Sequence, residues 1–417
     1  MKKILTFFVI LLFLSCAGQK EDKIITIIFK HGKVAGQSGY LTQLIREFEA
    51  QNPDIEVKEE ILPSITDQQH QFYVTSLVAG SADFDVLSMD VIWIAEFAQA
   101  GWIENLSGHF TQGELDNFLP GPLKADIYKD QLFAVPWYVD GGLLYYRKDL
   151  LEKYNLKPPR TFKELEESAH KILQEEKNPN LVGFIWQGKQ YEGLVCAALE
   201  FIFGNCAQVL DSDGKVVINS KNAIFALNYM RSLIENKIAP EYVTTTDEEA
   251  TRHSFGNGRA VFMRNWLYAY NIFQSPDSKV KDKIGISIIP HFEGCQSAST
   301  LGGWQLGINR FSKHKKEAWR FIKFMSEYES QKLLAIKIGL KPSRKDVYQD
   351  EELTKVHPFI IELYNVLTYA QPRPVSPYYP QISLVLQEKF SKVLSGTAKA
   401  EKVLDEAEKQ ISEILSR

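Results

Sequence analysis

A basic excess is missing from this sequence. Lys and Arg total 48 against 52 Asp and Glu, for a net charge of −4, and no basic face is clustered along the chain. Nucleic-acid binders usually show one or the other. Long apolar runs are missing as well. No stretch after residue 20 approaches the roughly 20 consecutive apolar residues that a helix needs to cross a bilayer, so the body of the protein does not span a membrane. Cysteine is scarce, with four in 417 residues and no CxxC pair, and the eight histidines include no HExxH pair. These gaps leave a metal centre without ligands at the required spacing, and the sequence calls for no cofactor. No GxSxG nucleophile elbow appears. The stretch "GKVAGQSG" at 32–39 follows a strand as a phosphate loop would, but it lacks the Gly-Lys-Ser/Thr ending. There is no internal repeat and no low-complexity linker.

What is present begins at the N-terminus. "MKKILTFFVILLFLSCAG" sets two lysines before an apolar run from Ile4 to Leu14, followed by small residues. That is the build of a secretory signal. Cys16 stands where a bacterial lipoprotein signal places its lipid-bearing cysteine, with residues 1–21 as signal and tether. The expected location is extracytoplasmic, in the periplasm or at the cell surface, with the chain lipid-anchored to a membrane. An uncleaved anchor, or a plain signal with an incidental cysteine, is the alternative. An extracytoplasmic chain can hold a disulfide. Cys196 and Cys206 can pair if the chain turns near Gly204; buried free thiols in a helix are the other reading.

Along the body, "KIITIIF", "IEVKEEI" and "FDVLSMD" read as strands. The first helix carries Leu41, Leu44, Ile45 and Phe48, the second Phe72, Val74, Leu77 and Val78, and "VIWIAEFAQAG" is a third. This alternation predicts the βαβαβ half of an open parallel sheet, with Asp90 at the carboxyl end of a strand, where ligands bind in such folds. Two short strands are expected to flank Asp140-Gly141-Gly142, whose glycines would let a ligand approach the backbone. A helix should start at Thr161, with Glu164 completing a capping box. A mainly helical stretch is expected to about residue 275, then a strand at "KIGISIIP". Val403, Leu404, Ala407, Ile411 and Leu415 share one face of a C-terminal helix, and "QPRPVSPYYP" reads as a rigid turn.

Aromatic residues recur beside amides, guanidinium groups and carboxylates in "SMDVIW", "VPWYVDGG", "IWQGKQYEG", "RNWLYAY" and "LGGW". A sugar ring presents a face of C–H groups, which aromatic planes cover, and a rim of hydroxyls, which carboxylates, amides and guanidinium groups take. Half-buried core aromatics are the alternative for each residue taken singly. Asp90 and Asp140 also fit an acid pair of a glycoside hydrolase.

These same runs carry a resemblance. "MDVIW", "YVDGGLLYYRKDLLEKY", "GFIWQGKQYEGLVC", "RNWLYAY", "LGGWQLGI" and "RPVSPYYPQ" resemble, in order from about residue 24 to the C-terminus, the extracellular solute-binding proteins of ATP-driven sugar importers. Within that family the chain is most similar to the trehalose/maltose-binding proteins. The resemblance implies an α/β fold of two lobes, a hinge and an interlobe sugar cleft. The N-terminal lobe would take 22–138 and 290–330, the C-terminal lobe 139–289 and 331–417. It also implies a monomer that binds an α-linked disaccharide and meets the membrane permease subunits of an ABC importer. Carried onto this chain, sugar hydroxyls should meet Asp90, Asp140 and Arg373. The sugar rings should pack on Trp266, Tyr268 and Trp304, with Gly303 close by, Tyr138 near the wall and Tyr191 a more distant correspondence. Where similar proteins place a Glu in the first loop and an Arg in the second helix, this chain offers Gln37 or Ser38, and Gln69 or His70. A binding protein that serves chemoreception is a third functional reading.

Overall fold

The computed structural model describes residues 24–34, 39–368 and 370–416. Cys16, Gln37 and Ser38 lie outside these residues. Strands β1 (Ile25–Gly32), β2 (Ile55–Leu62) and β3 (Val86–Asp90) are parallel, in the order β2-β1-β3. The returning helix Gly39–Gln51 buries Leu41, Leu44, Ile45 and Phe48, the four residues its periodicity picks out. The next helix, Thr66–Val78, turns a different face inward. It buries Gln69, Tyr73 and Leu77, while Val78 is 68% exposed. Its buried stripe repeats every four residues and contains a polar side chain, which an apolar pattern passes over.

A hairpin of β4 (Ile127–Tyr128) and β5 (Gln131–Leu132) leads into β6 (Val135–Arg147). Two short strands were expected around Asp140-Gly141-Gly142, but β6 is a single strand of 13 residues. The glycines do not break it, nor do they open it to a ligand. A Cβ on Gly142 would fall 1.9 Å from Glu200 Oε1, so the glycine leaves space for a neighbouring side chain. The following stretch is mainly helical as expected, and it also holds β7 (Val182–Ile185) and β8 (Ala260–Trp266). β9 (Ile284–Ser287), β10 (Leu301–Ile308) and β11 (Lys341–Pro342) complete the sheet. The helix Phe162–Glu176 has the expected capping box between Thr161 and Glu164.

β6 belongs to both halves of the molecule. Its first part pairs with β10 and β11, its last part with β8 and β9, and the path runs β2-β1-β3-β10-β6-β8-β7. In the first half, alternate residues of β1 face two apolar layers. Ile27 and Phe29 meet Phe48, Trp137 and Phe321, while Ile28 leans on the layer of Tyr73, Trp93 and Phe97. Leu334, Ile338 and Leu340 pack into the first of these layers, although the expected division gave 331–417 to the other lobe. Phe292, from the stretch given to the first lobe, instead packs 4.9 Å from Phe162 in the second core. That second core extends to the helix Ala400–Leu415, which buries Val403, Leu404, Ala407 and Ile411.

The disulfide joins Cys206 to Cys295, not to Cys196. Cys196 lies within the helix Glu192–Phe203 and remains a buried free thiol. Cys206 stands beyond that helix with a positive φ of 56°, which turns it toward the loop of Cys295. The bridge spans 89 residues, and closing so long a loop restricts the unfolded chain.

Candidate functional site

Sheet register brings distant residues together. Trp304 of β10 lies opposite Asp90 at the end of β3 and opposite Tyr138 of β6; Gly302 lies opposite Asp140; and Gly142 lies opposite Trp266 at the end of β8. Gly303 sits between them at φ +128°, where a Cβ would meet the Tyr138 carbonyl oxygen at 2.6 Å, so only glycine lets β10 pass this close. These strand ends line one cavity of about 460 Å³, to which Gln69, Tyr191, Tyr268 and Arg373 also contribute.

Asp140 is aimed by the backbone. Its Oδ1 accepts the N–H groups of Gly141 at 2.9 Å and Leu267 at 2.8 Å, and its Oδ2 makes no hydrogen bond among the described residues. Burial pushes its carboxyl up to about 6, against the pull of those two amides. Asp90 likewise uses one oxygen internally, accepting from the Ile92 N–H at 3.2 Å and from Arg373 Nη2 at 2.9 Å. Burial raises its carboxyl and Arg373 opposes that rise.

Arg373 is an organiser of the cavity. Nη1 donates to Glu192 Oε1 at 2.9 Å, while Nη2 is shared between Asp90 and the Leu301 carbonyl. Its Nε is buried without a hydrogen-bond partner among the described residues. Resemblance assigns Arg373 to the sugar hydroxyls; in this structure both Nη groups are already engaged. Glu192 also accepts from Tyr379 at 2.6 Å, from Ser383 and, at 3.9 Å, from Cys196 Sγ, so with Arg373 one carboxylate gathers four donors.

The aromatic wall is equally constrained. Trp304 packs edge-on against Trp93, with centroids 5.7 Å apart, and Tyr138 does so against Trp137 at 5.0 Å. Arg264 Cζ lies 4.0 Å from the Trp266 ring centroid and covers one face. Arg264 is not a donor to the cavity. It is buried, bonded to Glu200 at 2.8 and 2.6 Å and to Gln187 at 3.0 Å. Burial works against its charge, Glu200 overcomes this, and the net shift is upward. Tyr268 donates to Glu249 at 2.9 Å.

All eight principal expected residues line this cavity, as do Gln69 and Tyr191. His70 is not among the lining residues. It bonds Glu96 at 2.6 Å and packs on Trp93. Trp137 and Trp186, from two of the aromatic runs, are buried core residues. Sequence reasoning missed Glu192 and Glu248, which also line the cavity. One signal was available for the first. Glu192 and Glu200 both stand in the otherwise apolar helix "EGLVCAALEFIF", and an ionised group in such a run is seldom buried without a partner.

Residues 34–332 match the family model described as bacterial extracellular solute-binding protein. The chain belongs to that family. This solute-binding protein is 36% identical over 369 residues to a probable ABC transporter-binding protein of Deinococcus radiodurans, covering 87% of each chain. Among solved structures, maltose-bound MalE3 of T. maritima is 42% identical, with a TM-score of 0.89 over 94% of this chain and all of that one. An ABC transporter solute-binding protein of Thermotoga lettingae, bound with α-D-tagatose, is 26% identical with a TM-score of 0.84, over 94% of this chain and all of that one. Membership puts this solute-binding protein outside the cytoplasm, among binding proteins rather than enzymes.

Proposed function

We propose that the protein is the substrate-binding component of an ABC sugar importer, and that it takes an α-linked disaccharide such as trehalose or maltose between two lobes. One observation carries this reading. Asp90 and Asp140, each with an Oδ2 that makes no hydrogen bond among the described residues, line the same cavity as Trp266 and Trp304, so hydroxyl acceptors and flat apolar faces converge. The cavity has no cationic surplus. Asp90, Asp140, Glu192, Asp247, Glu248 and Glu249 line it against Lys33, Lys189, Arg252 and Arg373, which favours a neutral polyhydroxyl over a sugar phosphate or uronate. A hydrolase acid pair is disfavoured, because Asp90 is held by Arg373 and Asp140 is fixed by backbone amides. The lobes are divided as resemblance implies, with the crossings moved to follow the packing of Phe292 and Leu334. Closure is a hinge motion that sugar contacts from both lobes favour, and the monomer delivers its cargo to the permease subunits.

Tryptophan-fluorescence titration against trehalose, maltose, sucrose, longer maltodextrins and D-tagatose tests the ligand class. Tight binding of tagatose without any disaccharide would overturn the disaccharide assignment. Trp266→Ala should lose at least about tenfold in affinity, since one stacked ring is worth on the order of 1–3 kcal/mol and 1.4 kcal/mol is a factor of ten. A destabilised variant with parental affinity would make Trp266 a core residue instead.

Cys16 is proposed as the lipid attachment site. The Cys16→Ser protein should appear in the soluble extracytoplasmic fraction while the parent sediments with membranes. Equal solubility of the two forms would rule the anchor out.

A further inference from the structure

Two rings of the cavity wall are tied to a single carboxylate. Tyr191 donates its hydroxyl to Glu248 Oε2 at 2.5 Å, and Trp266 donates its indole N–H to Glu248 Oε1 at 3.3 Å. Three elements meet at this point. Tyr191 caps the helix Glu192–Phe203, Trp266 ends β8, and Glu248 opens the helix Glu248–Gly256. Glu248 is itself held in place. Its carbonyl accepts from Asn265 Nδ2 at 3.1 Å and from Thr251 Oγ1 at 2.9 Å, and both donors are fully buried. Space is kept for the arrangement by Gly193, where a Cβ would fall 2.2 Å from the Tyr191 hydroxyl and 2.9 Å from Glu248 Oε1.

A ring on a cavity wall would otherwise choose among staggered rotamers. A sugar that needs a flat face in one plane would then lose affinity to the ordering of that ring. Arg264 blocks one face of Trp266, which leaves a single face for a ligand, and the orientation of that face depends on what holds the indole edge.

We propose that Glu248 is a positioning residue that sets the planes of Tyr191 and Trp266, so that sugar affinity depends on a carboxylate acting through two aromatic rings. This rests on the sugar-binding reading above, and it selects for cyclic sugars with an apolar face.

The test starts in the sugar-free protein, with ¹⁵N-labelled tryptophan indoles. The protein has seven tryptophans, and the Trp266 resonance is identified by its loss in Trp266→Phe. Glu248→Ala should shift that resonance, because the indole N–H loses a charged acceptor; a resonance left in place overturns the proposal.

Affinity is the second arm. Glu248→Ala should bind the preferred disaccharide about tenfold more weakly, and so should Tyr191→Phe/Trp266→Phe, which keeps an aromatic face at each position but removes the donors. Adding Glu248→Ala to that double variant should cost less than about twofold, because residues that act as one unit are not additive. A further tenfold loss would mean that the carboxylate touches the sugar itself, which overturns the positioning role. A double variant far weaker than Glu248→Ala overturns it too, since the ring donors would then serve the sugar directly. If the parent binds no sugar at all, the sugar reading falls first and takes this proposal with it. An additive cycle in a sugar-binding parent refutes only the role of Glu248.

Discussion

Replacing Arg373 with methionine is expected to cost roughly 3–5 kcal/mol of stability, the usual penalty for stranding a buried charge partner. The Arg373 side chain is only 2% exposed and bridges Asp90 and Glu192, which arrive from different halves of the molecule. Methionine fills much of the same volume but leaves both carboxylates unpaired. The penalty should depend on pH. Burial already raises the Asp90 carboxyl, with Arg373 pulling it down, so loss of Arg373 lifts it further. A carboxyl that is higher in the folded than in the unfolded state favours folding fully when protonated, below the ordinary value near about 4, and that benefit is lost as pH rises through the folded value. The urea midpoint of the variant should therefore lie closer to that of the parent at pH 4.5 than at pH 7.5. Asp90→Asn and Glu192→Gln added together should recover most of the loss at neutral pH. Sugar binding should be lost in the single variant, because the Asp90 carboxylate, which lines the cavity, is no longer held by Arg373. Parental midpoints at both pH values would show that the bridge does not hold the site.

The second large effect is expected at Glu200. Its side chain is 1% exposed and that of Arg264 2%, and Glu200 Oε1 also accepts the Thr300 N–H at 3.1 Å. Glu200→Ala leaves a guanidinium inside the protein with Gln187 as its remaining side-chain acceptor among the described residues, again about 3–5 kcal/mol. Affinity should fall with stability, since the freed guanidinium is no longer held over the Trp266 ring. Gly142→Ala attacks the same pair from the other side, because its methyl would overlap Glu200 Oε1 and crowd Arg264 Nη2 at 2.6 Å. Both variants should lower the urea midpoint and weaken sugar binding together. A Glu200→Ala protein with parental stability would mean that the guanidinium finds water.

Particular residues show how much was legible in the sequence. The parallel strands and the first helix followed from period-2 and period-3.6 patterns, which report burial directly. Asp140-Gly141-Gly142 misled, because glycine marks a turn and a close approach with the same letters, and only the packed side chain of Glu200 distinguishes them. The stretch "RNWLYAY" mixes a cavity-facing Trp266 with an Arg264 and an Asn265 that serve the interior, and no local pattern separates them. The cavity residues were found through long runs of similar sequence. The carboxylates that position them were not, because Glu248 stands in an acidic helix start, where charge also suits the helix dipole. Four cysteines give no pairing by spacing alone, and the bridge across 89 residues needed the fold.

The threading of the chain bears on how such a protein is made. The first core, begun by β1, β2 and β3, lacks its antiparallel neighbour until β10 has been synthesised, and the second waits for the helix Ala400–Leu415. β6 serves both halves but lies early in the chain, so it is the late elements, β10 and the helix Ala400–Leu415, that complete them. Chain connectivity thus places the last pieces of each core late in the sequence. Neither core can be completed before most of the chain has been made, an order that suits a polypeptide which must pass through a narrow translocation pore before taking its final shape.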